Sequence, residues 1–196
     1  LEGLTDHYWL TGDAMSQKAV GKTADVLASY YRKGVLDDTN HIDMESRIQA
    51  RSLQSMLLAS EIQAPGGPNY GPTTWATHLP LMLGQILKAQ NTKGAYIWGG
   101  YCRTSINYMN GLLNDAMIRY STRFQADSRI LPSIKANADW LWANQWRTDL
   151  SFNYQSAYCA RNGSSASASH DLNNLFATTF SWLYKQTGQT TYRQAA

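Results

Sequence analysis

Three short stretches hold the residue types that bond-making chemistry needs. Asn40-His41-Ile42-Asp43, with Glu45 and Arg47 close behind, is the richest polar cluster. Asp43 and Glu45 are candidate catalytic carboxylates, an acid and a base for cleaving a glycosidic bond, with His41 beside them to touch the substrate. The same pattern also suits a helix start, where Asp43 caps and Glu45 sits in the favourable first turn. Tyr96-Ile97-Trp98-Gly99-Gly100-Tyr101-Cys102-Arg103 is an aromatic loop with two glycines. Trp98 and Tyr101 could stack on sugar rings while Arg103 anchors a carboxylate. Alternatively, the loop simply packs onto the helices beneath it. Ser169-His170-Asp171-Leu172-Asn173-Asn174 is the third stretch. His170 could abstract a proton as a general base, with Tyr158 and Asn174 on the substrate. In the structural alternative Ser169 or Asp171 caps a helix and His170 is merely exposed. His7 and His78 fall in helix bodies or at the opposite end, and both are read as structural.

The elements that must position these residues follow from a repeat. Asp13 aligns with Asp127, Val20 with Ile134, and Ala24-Asp25-x-Leu27 with Ala138-Asp139-x-Leu141. Tyr8 and Thr11-Gly12 align in turn with Tyr184 and Thr187-Gly188. A further turn is required near residue 70, where Ala64-Pro65-Gly66-Gly67-Pro68-Asn69-Tyr70-Gly71-Pro72 cannot be helical. The unit is a helix, a turn and a second helix. Helical periodicity predicts helices near 1–10, 13–33, 44–62, 79–90, 105–124, 128–146 and 170–187, and a stub from 190. Asp13 and Asp127 are expected to cap helix starts, and Pro80 and Pro132 to lie near helix beginnings. Period-two alternation is nearly absent. The predicted class is all-α, an array of antiparallel helical hairpins forming one domain over residues 1–196. The chain begins inside one helix and stops as another starts, which predicts a piece of a longer array.

Connections inside hairpins are mostly tight, whereas those between hairpins are long: 34–43, 91–104 and 147–169. Stacked hairpins place all three long loops at one end, where a ligand is expected to bind.

Composition excludes several classes. A net charge of +3 with no long basic run argues against nucleic acid. No run of 18 apolar residues predicts a membrane span. Phosphate-binding loops, dinucleotide fingerprints, hydrolase triad spacing and metal-ligand spacing are all missing, so no cofactor or metal is expected.

The stretch Met109-Asn110-Gly111-Leu112-Leu113-Asn114-Asp115-Ala116-Met117-Ile118-Arg119-Tyr120, followed by QADSRILPSIKANADWLW, resembles the six-hairpin (α/α)6 toroid enzymes. HYWLTGDAMSQKAVGKTADVL and LYKQTGQTTYRQAA look like the same unit. That superfamily holds many glycoside hydrolases and some polysaccharide lyases. The resemblance implies a partial toroid, about half of a full ring, that is carbohydrate-active at its long-loop end. It implies an oligo- or polysaccharide partner and leaves hydrolase and lyase both open. A non-catalytic helical-repeat module that binds saccharide or protein is the alternative.

Cys102 and Cys159 fall in two long loops that precede neighbouring first helices of the array. A disulfide between them is expected. It would favour an exported protein, secreted or periplasmic, because such bonds rarely persist in the cytosol.

Overall fold

The computed structural model describes residues 1–31, 45–97, 105–156 and 167–195. It contains α1 (Glu2–Thr11), α2 (Ala14–Tyr31), α3 (Ser46–Glu61), α4 (Trp75–Lys88), α5 (Asn107–Arg123), α6 (Ile130–Gln145), α7 (Ala177–Thr187) and α8 (Thr190–Ala195). A 3-10 segment, His170–Phe176, leads into α7. Extended structure among the described residues is limited to isolated bridges. Among the described residues the fold is all-helical, an array of four hairpins: α1–α2, α3–α4, α5–α6 and α7–α8. No helix among the described residues is long and apolar enough to cross a membrane.

The repeat seen in the sequence is repeated in atomic detail at two turns. Gly12 and Gly188 both close their helices in the left-handed region, each at φ 70°. Their amides donate to Tyr8 O at 2.7 Å and Tyr184 O at 2.8 Å. The preceding threonines fold back alike: Thr11 Oγ1 donates to His7 O at 2.6 Å and Thr187 Oγ1 to Leu183 O at 2.7 Å. Glycine is the residue that accepts this backbone at least cost. After the first turn Asp13 caps α2, accepting the Ser16 amide at 2.9 Å and the Ser16 hydroxyl at 2.6 Å. His7 Nδ1 meets the same Ser16 hydroxyl at 3.0 Å, so His7 serves the turn. Asp127 accepts the Arg129 amide at 2.9 Å just before α6.

Aligned positions are also aligned in the core. Val20 and Ile134, and Ala24 and Ala138, are all fully buried. The first helices of the middle hairpins, α3 and α5, pack on each other, and α2 packs on α3 almost as extensively. The long turn between α3 and α4 lies along α2. Buried Asp25 accepts the Tyr70 amide at 2.6 Å and the Asn69 amide at 3.1 Å. Trp75, fully buried, donates Nε1–H to Ala64 O at 2.9 Å and pins the same turn.

Two helix heads differ from expectation. α4 starts at Trp75, so Pro80 lies inside the helix and not near its beginning. Pro80 withholds its amide from Ala76, which is exposed, so water can take that carbonyl. The predicted helix 170–187 divides into the 3-10 segment and α7.

Candidate functional site

The heads of α3 and α5 and the tail of α6 meet at one end of the array, and the described parts of two long connections close over them. Ser156 N donates to Ser105 O at 2.8 Å, and Ser105 N donates to the Ser156 hydroxyl at 3.0 Å. Asn107 N donates to Tyr154 O at 2.9 Å, Tyr154 N to Ser167 O at 2.8 Å, and Ser169 N to Phe152 O at 3.1 Å. The segments 105–107, 150–156 and 167–169 are therefore laced edge to edge without forming a sheet.

Beneath this lacing runs a set of asparagines that the sequence reading missed. Asn107, Asn110 and Asn114 sit on α5 at helical spacing, and all are fully buried. Asn107 Nδ2 donates to Asn153 O at 2.8 Å and to Gln145 Oε1 at 3.0 Å. Asn110 Nδ2 donates to the Ser105 hydroxyl at 2.8 Å, and its Oδ1 accepts from the Ser46 hydroxyl at 3.3 Å. Asn114 Nδ2 donates to Asn137 Oδ1 at 3.0 Å, whose own Nδ2 donates to Gly94 O at 3.0 Å. Asparagine is a poor helix former unless its amide is occupied, so three at this spacing signal a buried network.

A pocket of about 410 Å³ opens beside this network. Its walls are Asn91, Thr92, Lys93, Ala95 and Ile97 from the α4–α5 connection. Trp140, Asn144 and Gln145 come from α6, and Ser105 and Ser156 from the laced loops. The volume lies within the ordinary range for small-ligand sites. Asn91 Oδ1 accepts the backbone amides of Lys93 and Ala95, both at 2.9 Å, which folds the 91–95 wall. Gly94, at φ 98°, lies against α6: an added Cβ would be 2.2 Å from Ala136 O. Asn144 Nδ2 donates to Trp140 O at 2.9 Å.

The sequence-predicted residues distribute unevenly. His41, Asp43, Trp98, Tyr101, Arg103, Tyr158 and the pair Cys102 and Cys159 lie outside the described residues. Glu45 occupies the position just before α3, but its side chain makes no cap bond. It accepts instead from Arg47 at 2.9 Å. Tyr154 stands close by and stacks obliquely on Tyr108, with centroids 5.4 Å apart. Burial, followed by the Tyr108 hydroxyl, pushes the Tyr154 phenol up. His170 is exposed and faces Asp149, with Nε2 3.9 Å from the carboxylate and 3.3 Å from the Asp149 carbonyl oxygen. The Ser151 hydroxyl, at 2.6 Å, and then Arg147 hold the Asp149 carboxyl below the usual carboxylate value. Asn174 is exposed on the 3-10 segment. Ser169 does not cap that segment; its hydroxyl donates to Phe152 O at 3.0 Å. None of Glu45, His170 and Asn174 lines the pocket.

Compared with protein-family models, curated proteins and solved structures, the chain matches none of them.

Proposed function

We propose that this chain is a carbohydrate-active helical-hairpin domain, part of an (α/α) toroid of glycoside hydrolase or polysaccharide lyase type. Its saccharide binds at the long-loop end. One observation supports this reading above the others: the pocket beside the tail of α6 combines an aromatic, Trp140, with amides and hydroxyls. Sugar rings have apolar faces that lie on indole and hydroxyl edges that bond to amides. The position agrees with the resemblance, which puts the substrate at the long loops.

A non-catalytic binding module is the second reading, and one observation favours it. Glu45, the described member of the candidate carboxylate pair, is committed to Arg47 and lies away from the pocket lining. Incubating the protein with an oligosaccharide panel separates the two. Release of new reducing ends identifies a hydrolase, and a product with a carbon–carbon double bond identifies a lyase. Binding without either product identifies the module. Titration of the same panel without any binding would reject both readings.

A further inference from the structure

Positive φ is met in three ways among the described residues. Gly12, Gly94 and Gly188 adopt it without a side chain. Gln63, at φ 49°, bonds its own Nε2 back to Ser60 O at 2.7 Å. Leu150, at φ 61°, has neither relief. Its side chain forms no hydrogen bond, and the residue is 71% exposed. A leucine here is unfavourable twice over, through the strain of its Cβ and through apolar surface left in water.

The strain has a local cause. Trp146 and Phe152 pair as an isolated bridge, Arg147 N donates to Ser151 O at 2.9 Å, and Leu150 N donates to Arg147 O at 3.2 Å. A tight hairpin loop of this kind ends on one left-handed residue, ordinarily glycine. The loop is fixed from both sides. Arg147 Nε bonds both Asp149 carboxylate oxygens, at 3.2 and 3.1 Å, and the Ser151 hydroxyl donates to Asp149 Oδ1 at 2.6 Å. Asn173 spans the tip: its Nδ2 donates to Leu150 O at 2.9 Å and its Oδ1 accepts from Phe152 N at 3.2 Å. None of these bonds uses the leucine side chain. Glycine would make all of them with less strain, so the fold does not explain the leucine.

The loop's position does explain it. The loop leaves α6 directly after Asn144 and Gln145, two residues of the pocket wall. Its neighbours are polar: Arg147, Asp149 and exposed His170, whose Nε2 lies 3.3 Å from the Asp149 carbonyl oxygen. An apolar side chain in a polar surround fits a sugar ring, apolar across its face and hydroxylated around its edge, better than it fits an apolar protein surface. We propose that Leu150 is a saccharide-contact residue, its strained and exposed side chain meeting the apolar face of a sugar in a chain that extends from the pocket over the loop tip. This rests on the saccharide reading given above, and adds to it a contact outside the pocket.

The test titrates linear hexasaccharides of glucose, mannose, xylose and galacturonate into wild type and three variants by calorimetry, with urea unfolding of each protein in parallel. Leu150→Gly should unfold at higher urea than wild type, because glycine accepts the left-handed backbone. It should also bind the tightest of the four hexasaccharides about fivefold or more weakly. Leu150→Ala keeps a strained Cβ, and should lose as much binding with no gain in stability. Leu150→Met keeps an apolar side chain of similar size, and should bind within about twofold of wild type. Wild-type affinity in both Leu150→Gly and Leu150→Ala would overturn the inference and leave the saccharide reading standing. A Leu150→Gly protein less stable than wild type would show that the fold itself needs the leucine, and would overturn it as well. Absence of wild-type binding to every hexasaccharide would remove both the inference and the saccharide reading.

Discussion

The two ends of the array are held together in different ways. The short turns at residues 12 and 188 are closed by bonds between neighbours: a glycine amide and a threonine hydroxyl, each reaching one turn back along its own helix. The long-loop end is closed by bonds between residues far apart in the chain. Asn107 reaches Gln145 and Asn153, Ser46 reaches Asn110, and Asn137 reaches Gly94, separations of 38, 46, 64 and 43 residues. Local chemistry suffices to turn a chain around. Holding a pocket open needs groups brought in from several hairpins, so its precision depends on the whole fold.

Substitutions can break this contrast, and the largest effect is expected at Gly94. It has φ 98°, and an added Cβ would press on the Ala136 backbone at 2.2 Å. Gly94→Ala should cost about 3 kcal/mol or more in urea unfolding, since strain and a backbone clash add. It should also distort the 91–97 wall of the pocket. Asn107→Ala comes next. It strips Asn153 O of its Asn107 donor and leaves Gln145 Oε1 only the longer bond from Asn153 Nδ2, for an expected loss of about 2–3 kcal/mol. A double-mutant cycle with Gln145→Ala should show coupling, because the two side chains share a bond. Additive losses would mean that the network is looser than its distances imply.

At the opposite end the expected losses are smaller and matched. Gly12 and Gly188 share φ 70° and have open space where a Cβ would go. Alanine at either should cost about 1 kcal/mol, through backbone strain alone. Unequal losses would show that the two turns are alike in outline only.

How much of this was legible in the sequence follows the same division. Thr11-Gly12-Asp13 and Thr187-Gly188 announce a turn through side chains that act on their immediate neighbours, and the turns form as read. Val20 and Ile134, or Ala24 and Ala138, announce a shared core through periodicity. Pro80 misled because proline most often marks a helix start, while the buried Trp75 sets the actual start five residues earlier. The pocket was not legible. Gln145 and Asn91 look like surface polar residues until the partners of their oxygens are known, and those partners come from a facing helix, a following loop or the backbone. One signal was available: Asn107, Asn110 and Asn114 at helical spacing, within and beside the stretch that carries the toroid resemblance. It marks a buried amide network, though not which way each amide faces.

The smallest predicted effect is an acid one. Hydrogen bonds from the Ser16 hydroxyl, and then from its amide, hold the Asp13 carboxyl below its ordinary value of 3.8. A carboxyl lowered in the folded state stabilises above its unfolded pKa and loses that contribution as pH falls through the folded one. Asp13→Asn should therefore be slightly less stable than wild type at neutral pH. The two should converge as acid protonates Asp13. Parallel melting curves from neutral to acid pH would contradict a capping role for this carboxylate.

The contrast between the ends is tested most directly by mapping backbone amide shifts on adding an oligosaccharide that binds. Shifts should gather at residues 91–97, 105, 144–145 and 156, with Gly12, Gly66 and Gly188 unmoved. Shifts confined to those three glycines would place binding at the turn end and contradict the assignment of the long-loop end as the ligand site.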